Sequence, residues 1–163
     1  MAHILSKKGR EIYQTLHNDL QLIIDGILEY CVVDITLVEG HRAPSKQFEY
    51  YKKGREKTGD GVWKIVNKSK VITNIDGYKK KGKHNYDPSR AIDVCAYVSG
   101  KPHLSWNHTQ LAYIAGTAMM VAEVLYAEGK ISHKLRWGND WDMDGDFSDN
   151  SLVDAPHLEL INP

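Results

Sequence analysis

Asp154, His157 and Glu159 lie close together near the end of the 163-residue sequence, with Pro156 between the first two. Leu158 and Leu160 alternate with His157 and Glu159, the pattern of a strand with one apolar face and one polar face. Pro156 cannot donate a ladder hydrogen bond, so the chain is expected to bend there and enter the strand at His157. On a straight strand Asp154 and His157 would face opposite sides; a bend lets both face one small volume. A histidine fixed on a strand with a carboxylate beside it suits a metal ion and a general base.

Two further residues fit the same chemistry. Ala91 to Val98 reads as a buried strand, and Asp93 inside it is costly unless paired or bound to a cation. His84 precedes it on a loop. Together His84, Asp93 and His157 make a two-histidine, one-carboxylate set, and a catalytic zinc takes three protein ligands and keeps a fourth position open. The plainer alternative is an aspartate satisfied by backbone donors and two ordinary histidines among eight. Arg42, between a strand and a helix, is placed either to enter such a site or to form a surface ion pair.

A third stretch is acidic. Asp140, Asp142, Asp144 and Gly145 match the first half of an EF-hand loop, in which alternate oxygens wrap calcium. Ser151 stands where the bidentate glutamate should be, with Asp146 and Asp149 available to supply the missing oxygens. The alternative is a solvated acidic loop. An ion there, between Trp141 and Asp154, would order the run leading to the candidate base. Lys79, Lys80, Lys81 and Lys83 read chiefly as a solvated loop, with contact to an anionic polymer as the lesser alternative.

The elements that must position these groups follow from periodicity and punctuation. Ser6 caps a helix whose apolar positions, Ile12, Leu16, Leu20, Ile23 and Ile27, predict one long helix ending near Tyr30. Asp34–Val38 is a β-prone run, Pro44-Ser45 starts a helix through Tyr51, and Trp63–Val66 with Val71–Ile75 is expected to form a hairpin. Asn107 caps a second long helix with a buried stripe of Leu111, Ile114, Ala115, Ala118, Val121, Ala122 and Leu125, closed by Gly129. Leu135-Arg136-Trp137 is another short strand. The expected architecture is α+β: a single domain over residues 1–163, with a small antiparallel sheet carrying the site and two long helices behind it.

Composition narrows the function classes. Twenty-one basic against twenty-one acidic side chains give formal neutrality, which does not favour nucleic acid or an anionic membrane as partner. Cys31 and Cys95 sit far apart in apolar segments and read as buried free thiols. No stretch reads as a membrane span, and the N-terminal residues lack a signal-peptide core, so the expectation is a protein made and kept in the cytoplasm until something releases it. Nothing in the sequence favours a dimer over a monomer.

Gly40-x-Arg42, His84 with Ala91-Ile92-Asp93, Trp137-Gly138-x-Asp140-Trp141 and Asp154-x-Pro156-His157-x-Glu159-Leu160 together resemble the zinc peptidases of bacterial cell walls. That group contains the D-alanyl-D-alanine carboxypeptidases and dipeptidases and the phage endolysins that cut between L-alanine and D-glutamate of the stem peptide. The last two motifs are closest to the endolysin branch. The resemblance implies a hedgehog-like, D,D-peptidase-like fold, with zinc held by His84, Asp93 and His157. It implies Asp154 as the base that moves the proton to the leaving amine, and Arg42 holding the scissile carbonyl or a substrate carboxylate. Glu159 is the second choice of base and is ranked as an outer partner of His157. Some endolysins of this type carry an acidic calcium loop in the position of Asp140–Asp149. This sequence departs from the family in the interval from His84 to Asp93, which is longer than usual and lacks the intervening glycine. Two other functions stay open: a D,D-peptidase of the same group, and a non-catalytic calcium- or zinc-binding module on the same fold.

Overall fold

In the computed structural model, which describes residues 3–100, 103–150 and 152–163, Ser6 caps a short helix, α1 (Lys7–Tyr13). Its Oγ accepts the Gly9 N–H at 3.0 Å. The expected single helix to Tyr30 is two helices, for α2 (Asn18–Tyr30) starts afresh. Between them the chain leaves the helical path to bridge Ser89: the Ser89 N–H donates to Thr15 O and the His17 N–H to Ser89 O, both at 2.8 Å. His17 then caps α2, its Nδ1 accepting from the Asp19 N–H. Leu16, Leu20, Ile23 and Ile27 are all buried. The apolar spacing therefore reported a shared core face, which two helices can present as well as one.

The strand β1 (Ile35–Glu39) leads through Arg42 into α3 (Pro44–Lys52). A small outlying hairpin follows, but its strands are β2 (Arg55–Lys57) and β3 (Trp63–Ile65), with Arg55 opposite Ile65. Val71–Ile75, expected as the partner of Trp63–Val66, instead runs extended and unpaired. The turn around Gly59-Asp60-Gly61 closes the observed pairing, with the Thr58 N–H donating to Val62 O at 2.8 Å, whereas Lys68–Lys70, where the expected hairpin would turn, winds into a 3-10 turn. Two buried side chains hold the extended segment: Arg55 donates to Thr73 O at 3.0 Å and Gln47 to Ile75 O at 2.9 Å.

The main sheet is antiparallel, built from β1, β4 (Ala91–Tyr97), β5 (Leu104–Ser105), β6 (Lys134–Trp137) and β7 (His157–Ile161). Its order is β1-β4-β7-β6, with β5 pairing the far end of β4. α2 and α4 (His108–Ala127) back it, as the sequence led us to expect. Asn107 caps α4, its Oδ1 accepting from the N–H groups of Thr109 at 3.0 Å and Gln110 at 3.2 Å. Leu111, Ile114, Ala115, Ala118 and Ala122 are buried, whereas Val121 and Leu125 are only half-buried. By length and composition alone α4 is apolar enough to cross a membrane, contrary to the sequence reading. Its buried stripe packs on α2, β4 and β6, the place of a core helix. Cys31 and Cys95 are both buried free thiols. The protein is thus a mixed α+β fold with two small antiparallel sheets and four α-helices among the described residues.

Candidate active site

Register places the first two groups. Asp93 on β4 sits opposite His157 on β7, so the two side chains leave the sheet on the same face. β7 begins at His157 because the residues before it form a tight turn, with the His157 N–H bonded to Asp154 O at 2.9 Å. Gly138, just past β6, receives this turn: a Cβ there would lie 2.4 Å from Asp154 O and 2.9 Å from the His157 Cβ. His84 comes from elsewhere, on a short 3-10 turn (Lys83–Asn85). Two hydrogen bonds zip that turn to the chain after β1, from the Arg42 N–H to His84 O at 2.8 Å and from Asn85 Nδ2 to Arg42 O at 2.9 Å.

The result is a close triangle. His84 Nε2 lies 3.2 Å from Asp93 Oδ1 and 3.3 Å from His157 Nδ1, and His157 Nδ1 lies 3.0 Å from Asp93 Oδ1. Ligand atoms at about 2.0–2.1 Å from a tetrahedral zinc stand roughly 3.3 Å from one another, so these three atoms already have the spacing of three corners. The far nitrogens are committed elsewhere. His84 Nδ1–H donates to Gly40 O at 2.7 Å, and His157 Nε2–H donates to Glu159 Oε2 at 3.1 Å. Those partners fix the tautomers that turn His84 Nε2 and, once its own proton leaves, His157 Nδ1 toward the shared space. The donor set fits a divalent ion.

The charges around the triangle are coupled. Burial would raise the Asp93 carboxyl, but the adjacent imidazoles of His157 and His84 hold it well below the usual carboxylate range. Burial would lower the His157 imidazole, yet its bonds to Asp93 and Glu159 raise it to about 9. A cation entering here therefore displaces a proton. Glu159 is held below its ordinary value, because the donors His157 and Arg136 outweigh burial. Arg136 reaches it from the neighbouring position on β6, so Glu159 is clamped between two cations and supports the His157 ring.

Asp154 lines the same cleft as the triangle, a cavity of about 590 Å³. Burial pushes its carboxyl up, with Asp93 adding to the rise against the pull of His157. It accepts no side-chain hydrogen bond among the described residues, which leaves it free to take a proton. Arg42 also lines the cleft. Its guanidinium pairs with Glu39, donates to Gln47 Oε1 at 2.9 Å, lies 3.8 Å from Asp93 Oδ2 and rests over Tyr50. Its Nε is buried with no partner among the described residues. Trp141 covers His157 with ring centroids 5.6 Å apart, and its indole N–H is tied to Leu152 O.

The acidic loop is partly as expected. Carboxylate oxygens of Asp140, Asp142 and Asp144 lie within 4.8 Å of one another. Asp146 does not join them, since its Oδ1 is turned to the Ser148 N–H and hydroxyl. Asp149 stays outside the group as well; slight desolvation and the charges of Asp142, Asp144 and Asp146 push its carboxyl up. Ser151 lies outside the described residues.

Three contributors were not singled out from sequence: the Gly40 carbonyl, Gln47 and Arg136. Gly40 lay in a quoted motif, but a carbonyl leaves no mark on residue type. Arg136 had a signal, being one cross-strand step from Glu159 on an adjacent predicted strand. The lysines, read mainly as solvated, prove to stand on the cleft wall: Lys80, Lys81 and Lys83 all line it.

A second cluster of the same residue types, His17, Asp19 and His133, lies apart from the cleft. Its geometry is that of a structural tie. Asp19 Oδ2 accepts from the N–H groups of Ser132 and His133 at 2.9 and 3.1 Å and from His133 Nδ1 at 2.8 Å, joining the start of α2 to the approach of β6.

Known proteins carry the same arrangement of chain. In Escherichia phage T5, an L-alanyl-D-glutamate peptidase is 27% identical over 165 residues, covering 99% of this chain and all of the relative. The crystal structure of Serratia marcescens ChiX, an L-Ala D-Glu endopeptidase, superposes with a TM-score of 0.63 at 22% identity, covering 98% of this chain and 91% of ChiX. That second likeness speaks for the fold. The sequence of residues 1–161 fits the family as a whole, from α1 through β7 and every member of the cleft: this chain belongs to the phage L-alanyl-D-glutamate peptidases.

Proposed function

We propose that the protein is a zinc-dependent peptidoglycan hydrolase that cuts the L-alanyl-D-glutamate bond of the stem peptide during phage lysis, once released from the host cytoplasm. The triangle of His84 Nε2, Asp93 Oδ1 and His157 Nδ1, with sides of 3.0–3.3 Å and oriented far nitrogens, is the observation that carries this reading. His84, Asp93 and His157 would hold the ion. When bound, zinc supplies a Lewis acid that polarises the amide carbonyl and makes water acidic enough to be a nucleophile near neutral pH.

The rest is done by side chains of the chain. Asp154, whose carboxyl burial makes more basic than usual, takes a proton from the attacking water and passes it to the leaving amine. Arg42, fixed by Glu39 and Gln47, faces the oxygen on which charge develops. Glu159 and the Gly40 carbonyl keep the imidazoles in place, and Trp141 shields His157 from solvent. Calcium at Asp140, Asp142 and Asp144 is the supplementary reading, supported by the convergence of their oxygens. Through Trp141, which follows Asp140, it would steady the cleft's rim.

Digestion of purified cell walls, with EDTA removal and zinc add-back, tests the reading. The expected products carry new D-glutamate amines, identified by mass analysis, and vanish on chelation. Release of D-alanine would instead assign a D,D-peptidase, and stoichiometric metal binding with no product would leave a binding module.

A further inference from the structure

We infer that Lys80, Lys81 and Lys83 form a carboxylate-reading wall of the cleft, selecting stem peptides whose glutamate keeps its free main-chain carboxylate. The inference rests on the peptidase reading above and specifies which chemical group the cleft recognises. D-Glutamate in the stem peptide continues through its side-chain carboxyl, so its main-chain carboxylate stands one carbon from the nitrogen released by cleavage. A cleft serving that bond must accommodate a negative charge beside its own acidic centre.

The charges in the cleft leave only one place for it. Asp93, Asp154 and Glu159 line the cavity together with the three lysines. Asp93 and Glu159 are bonded to the imidazoles, and Glu159 also to Arg136. Arg42, paired with Glu39 and Gln47, is assigned above to the oxygen of the scissile carbonyl. Among the described residues Lys80, Lys81 and Lys83 have no acidic partner within 4.0 Å, whereas Lys46, Lys52, Lys130 and Lys134 each have one. The unmatched positive charge of the cleft therefore sits on this wall.

The wall is built rather than merely exposed. Asp76 Oδ1 accepts the N–H groups of Tyr78, Lys79 and Lys80 at 2.8–3.0 Å, and the Gly77 N–H bonds to Lys80 O at 3.0 Å. Gly77 adopts φ +82°, and a Cβ there would lie 2.8 Å from the Gln47 Cβ, so the turn is pressed onto α3. Tyr78 adds an edge contact to Phe48 at 5.8 Å. Lys83 is anchored in turn, its carbonyl accepting the Arg90 N–H at 3.0 Å. The fixed backbone roots Lys80, Lys81 and Lys83 at one side of the cavity, where their positive charge attracts an anionic peptide and offsets repulsion from the acidic centre.

Two acetylated L-alanyl-γ-D-glutamyl-lysine peptides, one with the glutamate carboxylate free and one with it as carboxamide, test the assignment with zinc-loaded protein. Wild type should show a KM for the carboxylate peptide on the order of tenfold lower, with kcat within about threefold, given roughly two- to fivefold per exposed charge pair. The triple variant K80Q/K81Q/K83Q should raise that KM to the carboxamide value, leave the carboxamide constants unchanged and flatten the dependence on salt. An unchanged preference in the variant overturns the inference, as does an equal loss on both peptides. Normal action on both peptides with slowing only on intact walls would assign the lysines to another wall anion. If wild type cuts neither peptide, the peptidase reading fails. Calorimetry with D154N then decides the lysines separately: tighter binding of the carboxylate peptide upholds them, and equal binding refutes them.

Discussion

His84, Asp93 and His157 at the cleft and His17, Asp19 and His133 by the start of α2 are the same three residue types, each set drawn together from distant parts of the chain. What separates them is the direction of their lone pairs. At the cleft the far nitrogens bond outward to Gly40 and Glu159, which leaves the near atoms converging on shared space. In the other set Asp19 Oδ2 faces two backbone N–H groups and an imidazole N–H, and His17 Nδ1 accepts from the helix it caps. A cation placed there would meet donor hydrogens already occupying the acceptors. Residue type names a candidate site; hydrogen-bond direction decides which candidate can take a metal.

The sharpest break of this comparison is to remove one ligand from each set. His84→Ala should lower activity by on the order of 10⁴-fold and abolish stoichiometric zinc, while His133→Ala should leave one zinc per chain and full turnover per folded molecule. Elemental analysis beside wall digestion reads both. Two zinc ions per wild-type chain, falling to one in His133→Ala, would erase the distinction.

Next in size is Asp154→Asn, which should reduce kcat by roughly 10²–10⁴-fold, the range for a lost general base, with zinc content unchanged. Loss of metal in this variant would move Asp154 from proton transfer to metal binding.

Asp19→Asn should act on stability alone. It removes charge from hydrogen bonds that are largely buried, at a cost of about 2–3 kcal/mol, seen as a lower urea midpoint with kcat intact. The smallest effect is in pH. Burial pushes the Asp19 carboxyl up, but its donors, His133 first, hold it below the ordinary 3.8. The unfolded chain therefore takes up this proton first, so the tie's stabilisation is whole above pH 3.8 and lost as pH falls through the folded value. Asp19→Asn should be missing that part of the acid limb. Identical acid limbs in the two proteins would place the tie's stabilisation elsewhere.

Much of the cleft was legible because its members announce themselves chemically. An aspartate in an apolar strand and a histidine at a strand entry have few uses, and the bend at Pro156 gave them a common direction. β1, α3, α4, β6 and β7 likewise followed from caps, turns and alternation. The break between α1 and α2 was hidden because Leu16 and Leu20 keep helical spacing across it, while its cause is a long-range bridge to Ser89. Val71–Ile75 was misassigned to a hairpin because β propensity does not reveal that Gln47 and Arg55 would hold the segment from another element. The lysines on the cleft wall look solvated in sequence; only the docking of the Gly77 turn on α3 brings their stretch of chain to the cleft.

The order of strands has a temporal meaning. β7 fills a slot between β4 and β6, although both precede it along the chain. Until it enters, the main sheet stays divided, with two open edges facing the same gap, and one corner of the His84–Asp93–His157 triangle is missing. Closing the sheet and bringing the third corner of that triangle into place are therefore a single event.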